Sequence, residues 1–536
     1  MRTLALILIA LALPTRAAIV AESPFPTPEA SEFERNLVGG SVFVKRIRVD
    51  GAVSLTAKQV ADVVRPYENR RLGAAEIREV QQNLTRLYID NGYVTSGVVV
   101  QDGVRGDELI LKAVEGTVTQ VRFRQPPRWS RPQYLTRLLV PDDEEPVKLN
   151  TLQERLAALR DSGVIDRIDA EIVPLDLLGQ SELVVSVEEP RPFGARVDYD
   201  NFHSPAVGAR RATIYAWHRN LTGWGDSLDL RFGDTPGLTD ALASYVITIP
   251  YTRVRLGARY ERSDSLAIDP PQFRALEIKS NTTTTSFEAG YTVLRRASGE
   301  LALFANYDRR RGDTTLLGLP FSFITGIDDG VTRIKAWRGG VLYSARGDAS
   351  VLFARFQVSD GKTNVAEDPP IPGKPATHFQ SYFGQVQYAQ RLPWLSSQAI
   401  ARLEAQYTND VLLPMEKYAI GGHSTVRGYR ENLLLRDRAV LGSVEWQVPL
   451  TPTDWKWRVT GALFGDAAWS KNVNGVDTLP QQIGSLGAGL LVDGPWGLSG
   501  RVYYARPNHR WLTPNDDLQD RGVHFVVSWE ATKLIP

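Results

Sequence analysis

From Pro192 to the end of the chain, apolar side chains recur at every second position, and that period restricts the fold more than any other feature of the sequence. Val254, Leu256, Ala258 and Tyr260 alternate with Arg255, Gly257, Arg259 and Glu261. Leu352, Ala354, Phe356 and Val358 alternate with Phe353, Arg355 and Gln357, and Val523, Phe525, Val527 and Trp529 with His524, Val526, Ser528 and Glu530. Strands put successive side chains on opposite faces, so each segment has an apolar face and a mostly polar one. A soluble sandwich and a membrane barrel share this pattern. Number, length and loop asymmetry separate them. About sixteen such segments of roughly ten residues follow one another, the length a tilted strand needs to cross an outer membrane. Tight turns at Leu221–Asp226, Pro250–Thr252, Ser344–Asp348 and Asp493–Trp496 alternate with long connections at Asp264–Asn281, Arg309–Val331, Ser359–His378, Asn409–Arg438 and Pro507–Gly522. Long loops on one side and short turns on the other are the mark of a transmembrane barrel. The expectation for 192–536 is an all-β transmembrane barrel of about 16 antiparallel strands.

The first residues agree. Arg2 and an unbroken apolar run from Leu4 to Leu13 precede small residues at Ala17, Ala18 and Ala21, the order of a secretory signal peptide over 1–21. Ten apolar residues fall short of the about 20 a membrane-spanning helix requires. Export to a Gram-negative cell outer membrane follows.

Composition removes several chemistries. With no cysteine, disulfides and thiolate catalysis are excluded, and the six histidines lie too far apart in sequence to suggest a metal site. A net charge of +1 gives no general attraction for nucleic acid. Gly225-Asp226-Ser227-Leu228 matches a hydrolase nucleophile block, but it lies in a hairpin, not a strand-to-helix turn, and Ser227 shares the polar side of its strand with Asp229 and Arg231. No catalytic residue, no cofactor and no enzyme activity are expected. The Arg-Gly-Asp triplets beginning at Arg105, Arg311 and Arg346 read as turns.

Residues 41–190 hold one plan twice. Val44–Val49 resembles Val118–Phe123, and Glu108-Leu109-Ile110 resembles Glu182-Leu183-Val184, each pair 74 positions apart (44 to 118, 108 to 182). Constant spacing at both ends argues for duplication. Between them Ile77, Val80, Leu84 and Leu87 share a helical face ended by Gly92, and Leu152, Leu156 and Leu159 another ended by Gly163. Each copy reads β-α-α-β-β. With the helix followed by Asn91-Gly92-Tyr93, a strand and a Glu-Gly ending, the copies resemble POTRA domains: POTRA 1 over 41–117 and POTRA 2 over 118–191. The resemblance implies binding of extended polypeptide by strand addition at a sheet edge. The candidate client-binding edge is Arg167, Ile168, Asp169, Ala170, Glu171, Ile172 and Val173, whose apolar members alternate with charged ones.

The most specific stretch is Gly421 to Glu431, "GGHSTVRGYRE". With the tandem POTRA copies it resembles the two-partner secretion transporters (the TpsB family, of the haemolysin and filamentous-haemagglutinin secretion-activation type) within the POTRA-barrel superfamily. The resemblance implies that Val426-Arg427-Gly428-Tyr429 sits at the tip of the external loop 409–438, folded into the lumen. Glycines at 421, 422 and 428 suit a hairpin with unusual backbone angles. Independent of the resemblance, parity in the thirteenth strand puts Trp457, Val459, Leu463 and Trp469 on the apolar side and Arg458, Thr460, Phe464 and Asp466 toward the lumen. Phe464 and Asp466 match the family's Phe-x-Asp motif, whose carboxylate pairs with the loop arginine, here Arg427.

The function so implied is capture of a large, unfolded, secreted exoprotein (a TpsA-type client) in the periplasm and its export to the cell surface, driven by its folding outside. The alternative is an outer-membrane protein assembly or insertion factor. The implied partners, besides the client, are outer-membrane lipid and lipopolysaccharide, and the barrel assembly machinery during biogenesis. One departure stands out. The short N-terminal segment 22–40 contains Pro24, Pro26 and Pro28 and is too short for a helix that crosses the barrel and returns, which would take about 20 helical residues alone.

Overall fold

The computed structural model describes residues 19–20, 33, 37, 40–141, 146–161, 163–249, 252–296, 298–367, 371–473, 475, 477, 479–509 and 517–531. The expected signal peptide, apart from residues 19–20, and nearly all of the segment 22–40 lie outside them. The chain forms two compact units, one built on residues up to Pro190 and one from Arg191 onward.

In the first unit the duplication is visible in the hydrogen-bond register. Strand Arg46–Asp50 runs parallel to Glu108–Val114 with Ile47 opposite Leu109, and strand Thr117–Phe123 runs parallel to Gln180–Glu188 with Val121 opposite Leu183. From Gln120 to Phe123 each position in the second pairing is 74 residues beyond its counterpart (47 to 121, 109 to 183). Helices α1 (Ala57–Val64) and α2 (Ala74–Asp90) serve the first copy, and α3 (Pro132–Leu139) and α4 (Leu149–Asp161) the second. The predicted stripes form the cores: Ile77, Val80 and Leu84 are fully buried with Leu109 and Leu111, and Leu152, Leu156 and Leu159 are buried with Leu183 and Val185. The first copy adds a small pair, Ser41–Val44 with Arg70–Gly73, to the expected β-α-α-β-β order. Both copies close on a glutamate. Glu115 accepts hydrogen bonds from the Val53 and Ser54 amides at 2.8 and 2.6 Å, the Ser54 hydroxyl at 2.9 Å and the Tyr88 hydroxyl at 3.0 Å. Glu189, 74 positions on, accepts from the Arg128, Trp129 and Ser130 amides at 2.6–2.8 Å. Each carboxylate thus satisfies the amides of the loop that follows the first strand of its copy.

The second unit is a closed antiparallel barrel of sixteen strands. They are β1 (Phe193–Asp200), β2 (Arg211–Arg219), β3 (Ser227–Thr235), β4 (Leu238–Thr248), β5 (Val254–Leu266), β6 (Lys279–Arg296), β7 (Gly299–Leu316) and β8 (Val331–Arg346). There follow β9 (Ser350–Thr363), β10 (His378–Leu392), β11 (Ser397–Thr408), β12 (Arg438–Pro449), β13 (Arg458–Lys471), β14 (Gln482–Asp493), β15 (Leu498–Pro507) and β16 (Val523–Glu530). Parity holds: Leu256, Tyr260, Phe356, Val527 and Trp529 face outward, while Arg231, Arg338, Gln357 and His524 are buried on the lumen side. Outward-exposed Trp394, Trp455, Trp496 and Trp529 gather at the short-turn end, as an interfacial aromatic girdle does.

Strand length departs from the expectation of roughly ten residues. β6 and β7 have 18 residues each, so the ends of the expected long connection at 264–281 and the first part of that at 309–331 are paired strand. The triplet at Arg311 is therefore not a turn; it lies within β7, where Arg311 donates to Asp313 at 2.7 Å. The reason is chemical. Beyond the hydrocarbon both strand faces are polar, as in Thr282–Thr285 opposite Arg309–Gly312, so pairing continues where apolar alternation has stopped.

Replacing Glu115 by alanine should leave the barrel intact and loosen the first copy by about 1–3 kcal/mol, chiefly from the hydroxyl of the fully buried Tyr88 left unpaired. Limited proteolysis of the detergent-solubilised chain should then cut first near Val53 and Ser54, with unchanged heat-modifiable migration of the barrel. Equal protease resistance would show that the closure is dispensable.

Candidate functional site: a lumen loop pinned to the barrel wall

The loop between β11 and β12 turns inward on a stem, Tyr418–Ile420 paired with Leu434–Arg436. Its own apolar residues Ile420, Val426, Tyr429 and Leu434 pack against Leu441, Ala468 and Ile483 of β12, β13 and β14. The tip needs glycine: Gly421, Gly422 and Gly428 have φ of 105°, 100° and 89°, and a Cβ on Gly428 would stand 2.9 Å from the Ala505 backbone oxygen. The Gly421 amide donates to the Thr425 hydroxyl at 2.8 Å and the Gly422 amide to the Val426 carbonyl at 3.1 Å, which closes the turn.

That turn presents Arg427 to the wall. Its Nε and Nη2 donate to the two carboxylate oxygens of Asp466 at 2.8 and 2.9 Å, a bidentate fork, and its backbone amide donates to the same carboxylate at 3.1 Å. Nη1 donates to Glu445. The guanidinium carbon lies 3.4 Å from the Phe464 ring centroid and 5.1 Å from that of Tyr503. The wall is a small block fixed by register, because Ser443 is opposite Asp466 and Glu445 opposite Phe464 on β12 and β13. The Ser443 hydroxyl donates to Asp466 at 2.6 Å. Burial acts to lower the pKa of Arg427, but Asp466 and then Glu445 outweigh it and hold the guanidinium above its ordinary value.

The structure therefore brings together every residue predicted for this site. Val426 is fully buried, the Gly428 amide donates to His524 Nε2 at 3.1 Å, and the Tyr429 hydroxyl donates to Asn508 at 2.6 Å. Sequence reasoning missed Ser443, Glu445, Tyr503 and His524. Parity within β12 could have placed Ser443 and Glu445 on the lumen face, but only the register puts them beside Asp466.

The predicted edge, Arg167–Val173, lies in the strand Arg167–Pro174 at one side of the second copy's sheet. Ile168, Ala170 and Ile172 are buried, while Arg167, Asp169 and Glu171 point away from the core. Its outer side carries a two-residue parallel pairing, Ile19 opposite Ala170 and Val20 opposite Glu171. Ser227 begins β3 and has no helix after it, so the hydrolase reading lacks its turn. Among the described residues no group of three potential ligands could hold a metal ion.

Arg427→Ala leaves Asp466 and Glu445 buried without their cation. The expected outcome is release of the loop tip, read as new cleavage within 421–431 by protease added from outside, with the barrel still heat-modifiable. Asp466→Ala should do the same and the double variant little more, since residues acting as one pair are not additive. Additive effects would mean that the two act separately.

The architecture and this site have known counterparts. The model of the haemolysin secretion/activation proteins ShlB/FhaC/HecB matches residues 179–490, and that of the ShlB-type POTRA domain residues 42–116. The heme/hemopexin transporter protein HuxB of Haemophilus influenzae (strain 86-028NP) is 21% identical over 87% of this chain and 83% of its own. The outer membrane transporter CdiB of Dickeya dadantii (strain 3937) is 22% identical over 77% of this chain and 75% of its own. The solved structure of CdiB from Escherichia coli superposes with a TM-score of 0.67 at 19% identity, covering 96% of this chain and 94% of the other. BamA from Haemophilus ducreyi lacking POTRA domains 1–3 shares the fold at a TM-score of 0.53 and 16% identity, over 91% of this chain and 100% of the other. An outer-membrane barrel with its POTRA region in the periplasm, this chain belongs to the haemolysin secretion/activation family of two-partner secretion transporters.

Proposed function

We propose that this transporter captures one large exoprotein, unfolded, at the Arg167–Val173 edge in the periplasm and exports it through the lumen, with the loop around Arg427 as the resting obstruction. The observation that carries this reading is the loop itself: a polypeptide segment with its own apolar core and a buried bidentate ion pair, seated in a lumen otherwise walled by polar groups. Chain in such a lumen can be exchanged for other chain. The edge supports the capture step, because apart from the two positions paired with Ile19 and Val20 the outer side of Arg167–Val173 has no ladder partner among the described residues. The barrel's apolar exterior and tryptophan girdle fit contacts with outer-membrane lipid and lipopolysaccharide, and barrel assembly machinery would insert it during biogenesis. No chemical step is assigned to any residue.

Deleting the gene in its own bacterium and comparing culture supernatants by mass spectrometry should remove one large polypeptide, restored by the wild-type chain and not by Arg427→Ala. A supernatant unchanged by the deletion would overturn the export reading. The chain lacks cysteine, so Asp169→Cys creates a single thiol for a photocrosslinker. It should capture that same polypeptide in the periplasm, whereas Lys58→Cys, on α1 of the first copy, should not. Equal capture at both positions would remove the edge from the mechanism.

A further inference from the structure

The ion pair with Asp466 holds one side of the loop tip; the other side meets the seam where the barrel closes. β1 and β16 pair over only five positions, Arg196–Asp200 with Val526–Glu530, the shortest pairing between neighbouring strands of the sixteen. Just past that ladder the Asn201 side chain continues it, donating to the Val523 carbonyl at 2.9 Å and accepting from the Phe525 amide at 2.8 Å. Against this point lies Gln519, fully buried in the loop that precedes β16. Its amide nitrogen donates to the Asn201 carbonyl at 2.5 Å and the His203 carbonyl at 2.7 Å, and its oxygen accepts from the Glu431 amide at 2.9 Å. One neutral side chain thus joins the first loop, the last loop and the inward-turned loop.

The rest of this contact is also uncharged in character. Glu431, buried beside it, accepts from the His423 amide at 2.5 Å and fills the space a Cβ on Gly422 would need. Burial raises the Glu431 carboxyl to about 8, with Asp200 adding to the shift and the His423 amide opposing it. Burial, and then His524 and Arg427, lower His423 well below its ordinary range, so its ring is neutral. It stacks on Phe202 of the first loop with centroids 3.8 Å apart and planes 4° from parallel.

We propose that Gln519 is a positioning residue for export, a second anchor that fastens the Arg427 loop to the seam between the first and last strands, so that freeing the loop requires this contact to break as well as the Arg427–Asp466 pair. The chemistry that suits the place is specific. The position needs two N–H donors aimed at carbonyls and one acceptor aimed at an amide, which glutamine supplies and a carboxylate cannot. This inference rests on the reading of the loop as the resting obstruction, and one variant tests that reading by itself.

The full chain is reconstituted in planar bilayers, and the fraction of time each channel conducts is recorded with no client present. Gln519→Met, of similar length but without hydrogen-bonding groups, should raise that fraction about thirtyfold to a hundredfold at every pH, the scale of two or three lost hydrogen bonds of ordinary strength. Gln519→Glu should conduct like Gln519→Met at pH 8.5 and return toward wild type as the same channel is perfused to pH 5, because only the protonated acid can donate. That reversal, measured within one folded molecule against the wild-type and Gln519→Met profiles, which carry the titration of Glu431 at about 8 and of the neighbouring Asp517 and His203 equally, separates positioning from general damage. Deletion of Gly421–Glu431 should open the channel in every background. If the deletion opens it but both Gln519 variants stay as quiet as wild type, the anchor is wrong and the obstruction stands. If the deletion leaves conductance unchanged, the obstruction reading falls and this inference with it.

Discussion

Closure of the barrel is the constraint on which the rest of the structure depends. Hydrocarbon offers no partner to a backbone amide or carbonyl, so a sheet in the membrane survives only if its last strand pairs with its first. Here β16 meets β1, and every strand has a paired neighbour on both sides. Closure also dictates side-chain parity. With one face given to lipid, the other must line an interior, and in sixteen strands that interior is too wide for the wall's own side chains to fill. The lumen face is accordingly polar, with buried Arg231 bonded to Asp240 and Glu261 at 2.8 Å and Arg338 to Asp308 at 2.6 Å.

A polar lumen determines what can sit inside it. A loop that enters must bring its own apolar core and satisfy the charges it covers. The β11–β12 loop does both: Val426 and Tyr429 pack on β13 and β14, while Arg427 meets Asp466 and Glu416 at the loop base meets Arg338 at 2.9 Å. Breaking a buried pair is costly because it leaves a charge without a partner, whereas making it gains little over the solvated ions. Such a contact defines one position sharply without fixing it very deeply. That combination suits a segment that must be seated in one place and still be displaced by another chain.

Much of this was legible in the sequence, and what was not has a physical reason. The barrel, its strand count and the lumen-facing side of Asp466 follow from alternation and parity, because lipid imposes an apolar face wherever it touches; the partnership of Asp466 with Arg427 was implied by the family resemblance of the two motifs. Where lipid ends the signal ends, so the outer parts of β6 and β7 read as loop although their backbones are paired. Asp466 could be placed on the lumen side from its own strand, but Glu445 and Ser443 became its neighbours only through the β12–β13 register, which alternation leaves free by steps of two. Glu115 and Glu189 stood 74 residues apart in plain view. Their shared role, closing a loop through its amides, needed the folded loop to be seen. Gln519 had no signal at all, since a neutral amide among the polar residues of a long loop resembles any other.

The two units treat the strand edge in opposite ways, and the contrast bears on how a chain could be handed over. The barrel strands pair with one another all the way round, so polypeptide in its lumen meets mainly side chains, with few backbone contacts such as that of the Tyr429 hydroxyl to the Gly484 carbonyl. The second periplasmic copy leaves Arg167–Val173 at the side of its sheet, where a pairing as short as Ile19–Val20 can lie against it. Backbone pairing is indifferent to sequence, which suits capture of a long and varied chain; side-chain contact with a polar wall is weak at any one point, which suits movement along it. A transporter that bound its cargo by backbone throughout would hold it fast, and one that offered side chains throughout would fail to catch it. Under the proposed capture at this edge, the division between a sheet side and a closed wall would supply both properties from the same sheet chemistry.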